Sequence, residues 1–146
     1  MHLMSTYELL SQFFNNHHDK LLCTANSKGE PNVALMGTPR LVAEGMIEFE
    51  ISDPVSVSLQ NIRENKAVVF MAYLPGARAR DYHGARISAT VTEIDTAGEK
   101  FEKSKTRIRE KHGEEKAREL LATVTCQIVK VRPVVDRGQQ WHEPVY

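Results

Sequence analysis

Apolar positions along this chain change period several times, and each change marks an element. Leu9, Leu10, Phe13 and Phe14 recur at helical spacing and form one face. Ser5 and Glu8 stand before them at capping-box spacing, with Met4 placed to staple onto Leu9, so a helix opens there and ends over Asn15 to Asp19. Leu21 to Ala25 reads as a strand. The polar turn Ser27-Lys28-Gly29 sends the chain back into a second strand, Asn32 to Arg40, and the two make a hairpin. Met46 to Ile51 alternates, with Ile47, Phe49 and Ile51 directed inward and Glu48 and Glu50 toward water.

The second half repeats this logic. Asp53 is a good N-cap and Pro54 suits a first helical position, which predicts a short helix to about Glu64, closed by a left-handed Asn65. Ala67 to Ala72 is a continuous apolar run, the pattern of a central strand. Ala85 to Ile94 alternates as a strand, with Ile87, Ala89 and Val91 on one face. Thr96 and Glu99 have the spacing of a second capping box, opening a helix to Lys111 with a thin apolar stripe, Phe101 and Ile108. His112-Gly113 breaks it, and Glu114 to Leu121 is a further helical piece. In the last strand, Thr123 to Val135, the inward set shifts from Val124, Cys126 and Ile128 to Val129 and Val131, which implies a bulge. Six strands connected mainly as hairpins, with three or four helices, predict an antiparallel barrel with flanking helices (α+β) rather than a doubly wound sheet. No linker or repeat interrupts residues 1–146, so one domain is expected.

One strand is unusual. Asn32 to Arg40 begins apolar and then gives up its bulk at Met36-Gly37-Thr38, ending in Arg40. A glycine inside a strand often marks close approach of another backbone or a ligand. Composition narrows what that ligand is. Nineteen basic and nineteen acidic residues balance over 146 residues, so no global field draws the protein to nucleic acid or anionic lipid. The Lys/Arg-rich helix after Thr96 is interleaved with Glu and reads as a solvated face. No long apolar run and no secretory leader are present, and the expected compartment is the cytoplasm. Cys23 and Cys126 are expected to be buried free thiols, neighbours if the barrel brings them together.

The chain also lacks the motifs that carry chemistry. There is no glycine-rich dinucleotide or nucleotide loop, no nucleophile elbow and no Cys-x-x-Cys pair. The six histidines have no metal-ligand spacing, and His17 and His18 point to different faces, so no metal is expected. Tyr82, His83, Arg78 and Arg80 read as loop residues. The catalytic residues are unknown, and any chemistry would come from a cofactor.

The order of elements resembles the pyridoxamine 5′-phosphate oxidase-like FMN-binding split-barrel family. The resemblance is carried by the hairpin ending in Asn32–Arg40, the alternating strand, Ser52-Asp53 leading into a short helix, the apolar strand Ala67–Ala72, and Arg86-Ile87-Ser88-Ala89. It implies a six-stranded antiparallel split barrel, homodimeric, with FMN at the subunit interface. Leu35, Met36, Gly37 and Thr38 would back the flavin ring. Ser52, Asp53, Ser56, Val57 and Ser58, with Asn61 one turn on, would hold the ribityl phosphate. The loop before Arg86 would border the ring edge, from the partner subunit, with Arg86 counted among the cofactor-binding residues, and Trp141 would reach the flavin. Family members commonly place a base where this chain has Val57, so the phosphate charge falls first to Arg40, which otherwise pairs with Glu44 on the surface. The implied activity is that of an FMN-dependent oxidoreductase with an unknown small-molecule substrate. A non-catalytic flavin carrier, or a module for another planar ligand such as haem or a deazaflavin, is the alternative, and a ligand-free structural dimer the third.

Overall fold

Seven strands form one antiparallel sheet in the computed structural model, which describes residues 3–136. The strands are β1 (Lys20–Ala25), β2 (Pro31–Met36), β3 (Arg40–Ala43), β4 (Met46–Ile51), β5 (Ala67–Leu74), β6 (His83–Asp95) and β7 (Ala122–Pro133). Four helices flank them: α1 (Thr6–Asn15), α2 (Val57–Glu64), α3 (Glu99–His112) and α4 (Glu114–Arg118). Across the sheet the order is β2-β1-β5-β6-β7-β4-β3.

The expected count of six strands is corrected to seven because the stretch Asn32–Arg40 is not one strand. It breaks at Gly37-Thr38-Pro39. Its first part pairs with β1 at one edge of the sheet, and β3 pairs with β4 at the opposite edge. Laid flat, six inter-strand spacings would separate those edges by about 29 Å. The four peptide steps from Met36 to Arg40 span at most about 14 Å. The sheet must therefore curl until its edges meet, and the corner is the seam of an incompletely closed barrel.

The barrel interior is filled by alternate residues. Leu22, Ile47, Phe49, Phe70, Ile87, Val124 and Cys126 are fully buried. Phe70 is met edge-on by Phe49 at 5.7 Å and by Phe14 at 6.1 Å, so α1 adds its apolar face to the same core. At the start of α1 the Ser5–Glu8 capping box forms as expected. The bulge in β7 also forms: Ser88 pairs with Lys130 and Ala89 with Ile128, leaving Val129 without a partner. That extra residue turns Val129 outward, 65% exposed, so the inward set runs Val124, Cys126, Ile128, Val131.

Four local expectations are overturned. Asp53 does not cap α2. Its Oδ1 accepts the Val55 N–H in a tight turn, and the helix begins at Val57 under Ser56, whose Oγ accepts the Leu59 N–H at 3.0 Å. Asn65 leaves the helix extended, at φ −139°, because its Oδ1 accepts the Ala67 N–H and launches β5. Gly98, at φ +93°, precedes α3, and the Thr96–Glu99 box is not made. Cys23 and Cys126 are free but lie on opposite faces: Cys126 is in the core, whereas Cys23 is half-buried on the outer face between Val33 and Val69. Burial pushes the Cys126 thiol up to about 12, far from a reactive thiolate.

Among the described residues, no helix is long and apolar enough to cross a membrane. The tightest backbone approach lies between β5 and β6. A Cβ on Gly84 would stand 2.2 Å from the Ala72 carbonyl oxygen, and backbone cannot yield as a side chain can. Gly84→Ala is expected to cost roughly 2–3 kcal/mol of unfolding free energy, read as a lower urea midpoint at unchanged m-value. A variant as stable as the native chain would contradict this packing.

Candidate functional site

The break at Gly37-Thr38-Pro39 is held from both sides. Thr38 Oγ1 donates to the Glu50 carbonyl at 3.2 Å and accepts the Glu50 N–H at 3.1 Å, so the corner is tied to the end of β4. The Glu50 side chain then reaches the other way. Its two oxygens take both Arg40 Nη atoms at 3.0 Å, and Oε2 also takes Arg107 Nη2 and Ser104 Oγ at 2.9 Å each. The alternation of β4 directs Glu50 toward the outside of the sheet, but α3 lies over that face. The expected solvated carboxylate is therefore buried, 4% exposed at the side chain, and saturated with donors.

On one side of this corner lies a cavity of about 520 Å³ between β2, the end of β4 and the start of α2. Nine of the anticipated cofactor residues meet there: Leu35, Met36, Gly37, Thr38, Ser52, Asp53, Ser56, Val57 and Ser58. Residues 35–38 form the floor. At the far wall, Val57 and Ser58 open the helix, where main-chain N–H groups lack intrahelical partners. The cavity has the size of a cofactor site and an anion-seeking helix end. Its charge is less favourable. Among the described residues no Lys or Arg lines it, whereas Glu50 and Asp53 do.

The other four anticipated residues lie elsewhere. Asn61 is buried behind α2, donating to Thr24 Oγ1 at 3.0 Å. Arg86 is on β6, held by the Pro133 carbonyl and by Asp136. Trp141 lies outside the described residues. Arg40 does not line the cavity. Its guanidinium is committed to Glu50 and, at 3.3 Å, to Glu48; Glu44, its expected surface partner, takes no part. Gly37 has a cause of its own: a Cβ there would stand 3.1 Å from the His18 carbonyl oxygen. The loss of bulk in this strand thus answers to a neighbouring backbone.

Behind the corner is a second cleft, of about 440 Å³, walled by the end of α1, residues 37–40 and α3. Arg40 and Arg107 line it, with Lys111 and His112 from the last turn of α3. So does Lys20, which the sequence reading leaves unassigned between the helix end at Asp19 and the strand from Leu21. Lys20 opens β1 on its inward face, 2% exposed, with Nζ 4.9 Å from the centre of the Phe14 ring. Burial, reinforced by the Arg40 charge, holds its ammonium down at about 8 rather than 10.5.

Two expectations follow from these charges. Glu50→Ala leaves two guanidinium groups at a part-buried corner without their shared carboxylate and is expected to cost roughly 2–4 kcal/mol, measured by urea unfolding; an unchanged midpoint would deny Glu50 its role. For Lys20, the lowered folded-state value means that the charged form opposes folding. The cost is fully present below about pH 8 and is relieved as pH rises toward 10.5, where the unfolded chain holds the extra proton. Lys20→Met is accordingly expected to be more stable than the native chain near neutrality, by at most about 3 kcal/mol. That advantage should shrink between pH 8 and 10.5; a pH-independent difference would show that Lys20 is not desolvated.

No family model matches the sequence, and no curated protein matches it. Solved structures do. An FMN-binding protein from Syntrophomonas wolfei subsp. wolfei superposes with a TM-score of 0.73 at 22% identity, covering 88% of this chain and 86% of that one. HupZ of Group A Streptococcus gives 0.70 at 21% identity, over 90% and 94% of the two chains. HutZ, a haem storage protein from Vibrio cholerae, gives 0.63 at 15% identity, over 88% and 94%. Curled antiparallel sheet, flanking helices and superposition lead to one conclusion: this chain has the split-barrel fold of the pyridoxamine 5′-phosphate oxidase-like proteins.

Proposed function

We propose that the protein is an FMN-binding flavoprotein that acts as an oxidoreductase on a small molecule, with its cofactor in the cavity between β2 and α2. The observation that carries this reading is the convergence of nine anticipated residues on that one cavity. The ring would lie along residues 35–38. The phosphate would take the Val57 and Ser58 N–H groups and the hydroxyls of Ser52, Ser56 and Ser58. Bound there, the flavin would supply hydride or electron transfer, and the protein position and electrostatics.

The homodimer belongs to the same proposal. Val33 and Leu35 on β2 point outward, 60% and 70% exposed, beside the half-buried Cys23 and the cavity rim. An exposed apolar strip at the mouth of a ligand cavity suits cover by a second copy. Among the described residues the lining of one chain holds no Lys or Arg, so the partner subunit is the expected source of charge for the phosphate, with Arg86, on the outward face of the central strand β6, the candidate.

The acidic lining also supports the alternative, a carrier or module for another planar ligand. HupZ and the haem storage protein HutZ share the fold. Two measurements decide. Protein purified from a host should be yellow and release a chromophore with the mass of FMN, and light scattering should give twice the mass of 16.5 kDa. Colourless, monomeric protein that ignores added FMN would overturn the proposal. Second, Val57→Arg restores a base at the start of α2 and should tighten FMN by roughly 1.5–3 kcal/mol in a fluorescence titration. Unaltered affinity would remove the phosphate from that helix end.

A further inference from the structure

We infer that the cleft behind the corner, between α1, residues 37–40 and α3, is a separate oxyanion site that takes a phosphate or phosphate monoester on the Lys20 ammonium. The inference does not rest on the flavin reading, because the two cavities lie on opposite sides of Gly37-Thr38 and, among the described residues, Lys and Arg line this one and not the other.

Three observations carry it. Lys20 is 2% exposed and lines the cleft, yet among the described residues its Nζ has no hydrogen-bond acceptor, only the Phe14 ring and the charge of its neighbour Asp19. A ring face and an exposed carboxylate are weak compensation for an ammonium with little contact to water. The cleft also carries an excess of positive charge. Four of its lining residues are Lys or Arg, against the single carboxylate of Glu50. Glu50 is already shared between Arg40 and Arg107, so it offers nothing to Lys20 or Lys111. The nearby acids only partly offset the excess: Glu48 is on Arg40, and the largely exposed Asp19 acts on Lys20 less strongly than burial and the Arg40 charge do. Finally, the space of about 440 Å³ exceeds what an inorganic ion fills and leaves room for a small organic group.

The test titrates inorganic phosphate into the full chain by calorimetry at pH 7 and low ionic strength, with and without saturating FMN. Phosphate is expected to bind one site per chain at millimolar affinity or better, with FMN present or absent. Lys20→Met should weaken phosphate at least tenfold while FMN affinity stays as it was. Lys111→Gln, at the exposed end of α3, should weaken it several-fold and provides a second reading should the Lys20 variant not fold. Phosphate binding that both variants leave unchanged, displacement of phosphate by FMN, or no binding at all would overturn the site. Glycerol 3-phosphate then separates the two ligand forms. Binding at least tenfold tighter than inorganic phosphate identifies a monoester site, and equal binding identifies a site for the free ion; both outcomes support the oxyanion assignment.

Discussion

The carboxylate of Glu50 is the interaction on which the layout of this protein depends. A buried charge persists only with close partners, and Glu50 has three side chains on it, Arg40, Arg107 and Ser104. These come from β3 and α3, so one group joins the corner, the sheet edge and the helix that covers it. The same residue holds Thr38 through its backbone. Once these bonds are made, residues 37–40 have one available path, and the space on either side of that path becomes two cavities of different character.

The corner also explains how a short connection organises a whole barrel. Its three residues join strands at opposite edges of a seven-stranded sheet, and chain length alone makes the sheet curl. Gly37 permits the close pass against His18, and Pro39 is fully buried where the chain turns. What faces β2 across the seam is α2 and its serine-rich start. What faces β3 is α3 with Arg107 and Lys111. A polar pocket with acidic lining and a cationic cleft thus share a wall only a few residues thick.

Much of the fold was readable because it rests on local period. The alternation of Ile47, Phe49 and Ile51 and the apolar run Ala67–Ala72 fall where the pattern puts them, and β7 bulges as expected, although Val129, read as inward, turns out to solvent. That 35–38 and 52–58 carry the lining of one cavity was likewise approachable, since each group is contiguous and only their meeting needed the fold. Arg40 and Glu50 were misread, and Lys20 missed, for a common reason. Period tells which side of a strand a residue is on, but not what covers that side. Glu50 is on the outward face, as its pattern says, and α3 makes that face interior. A signal for α3's second face existed in Ser104, one turn on from Phe101 and one turn before Ile108. It became decisive only with a partner in view.

By itself the sequence determined most of the strands and helices and their antiparallel class, and it singled out the stretches 35–38 and 52–58 that line the cavity between β2 and α2, because hydrophobic period and turn chemistry act over a few neighbouring residues. The tertiary structure alone decided that Asn32–Arg40 is two strands rather than one and that Arg40 turns to Glu50 and away from that cavity. It also decided that Lys20 is a buried ammonium. The physical reason is that charge burial and pairing depend on residues distant in the chain. Arg40, Glu50 and Arg107 span 67 positions, and only the curled sheet with α3 laid across it brings them within hydrogen-bond reach.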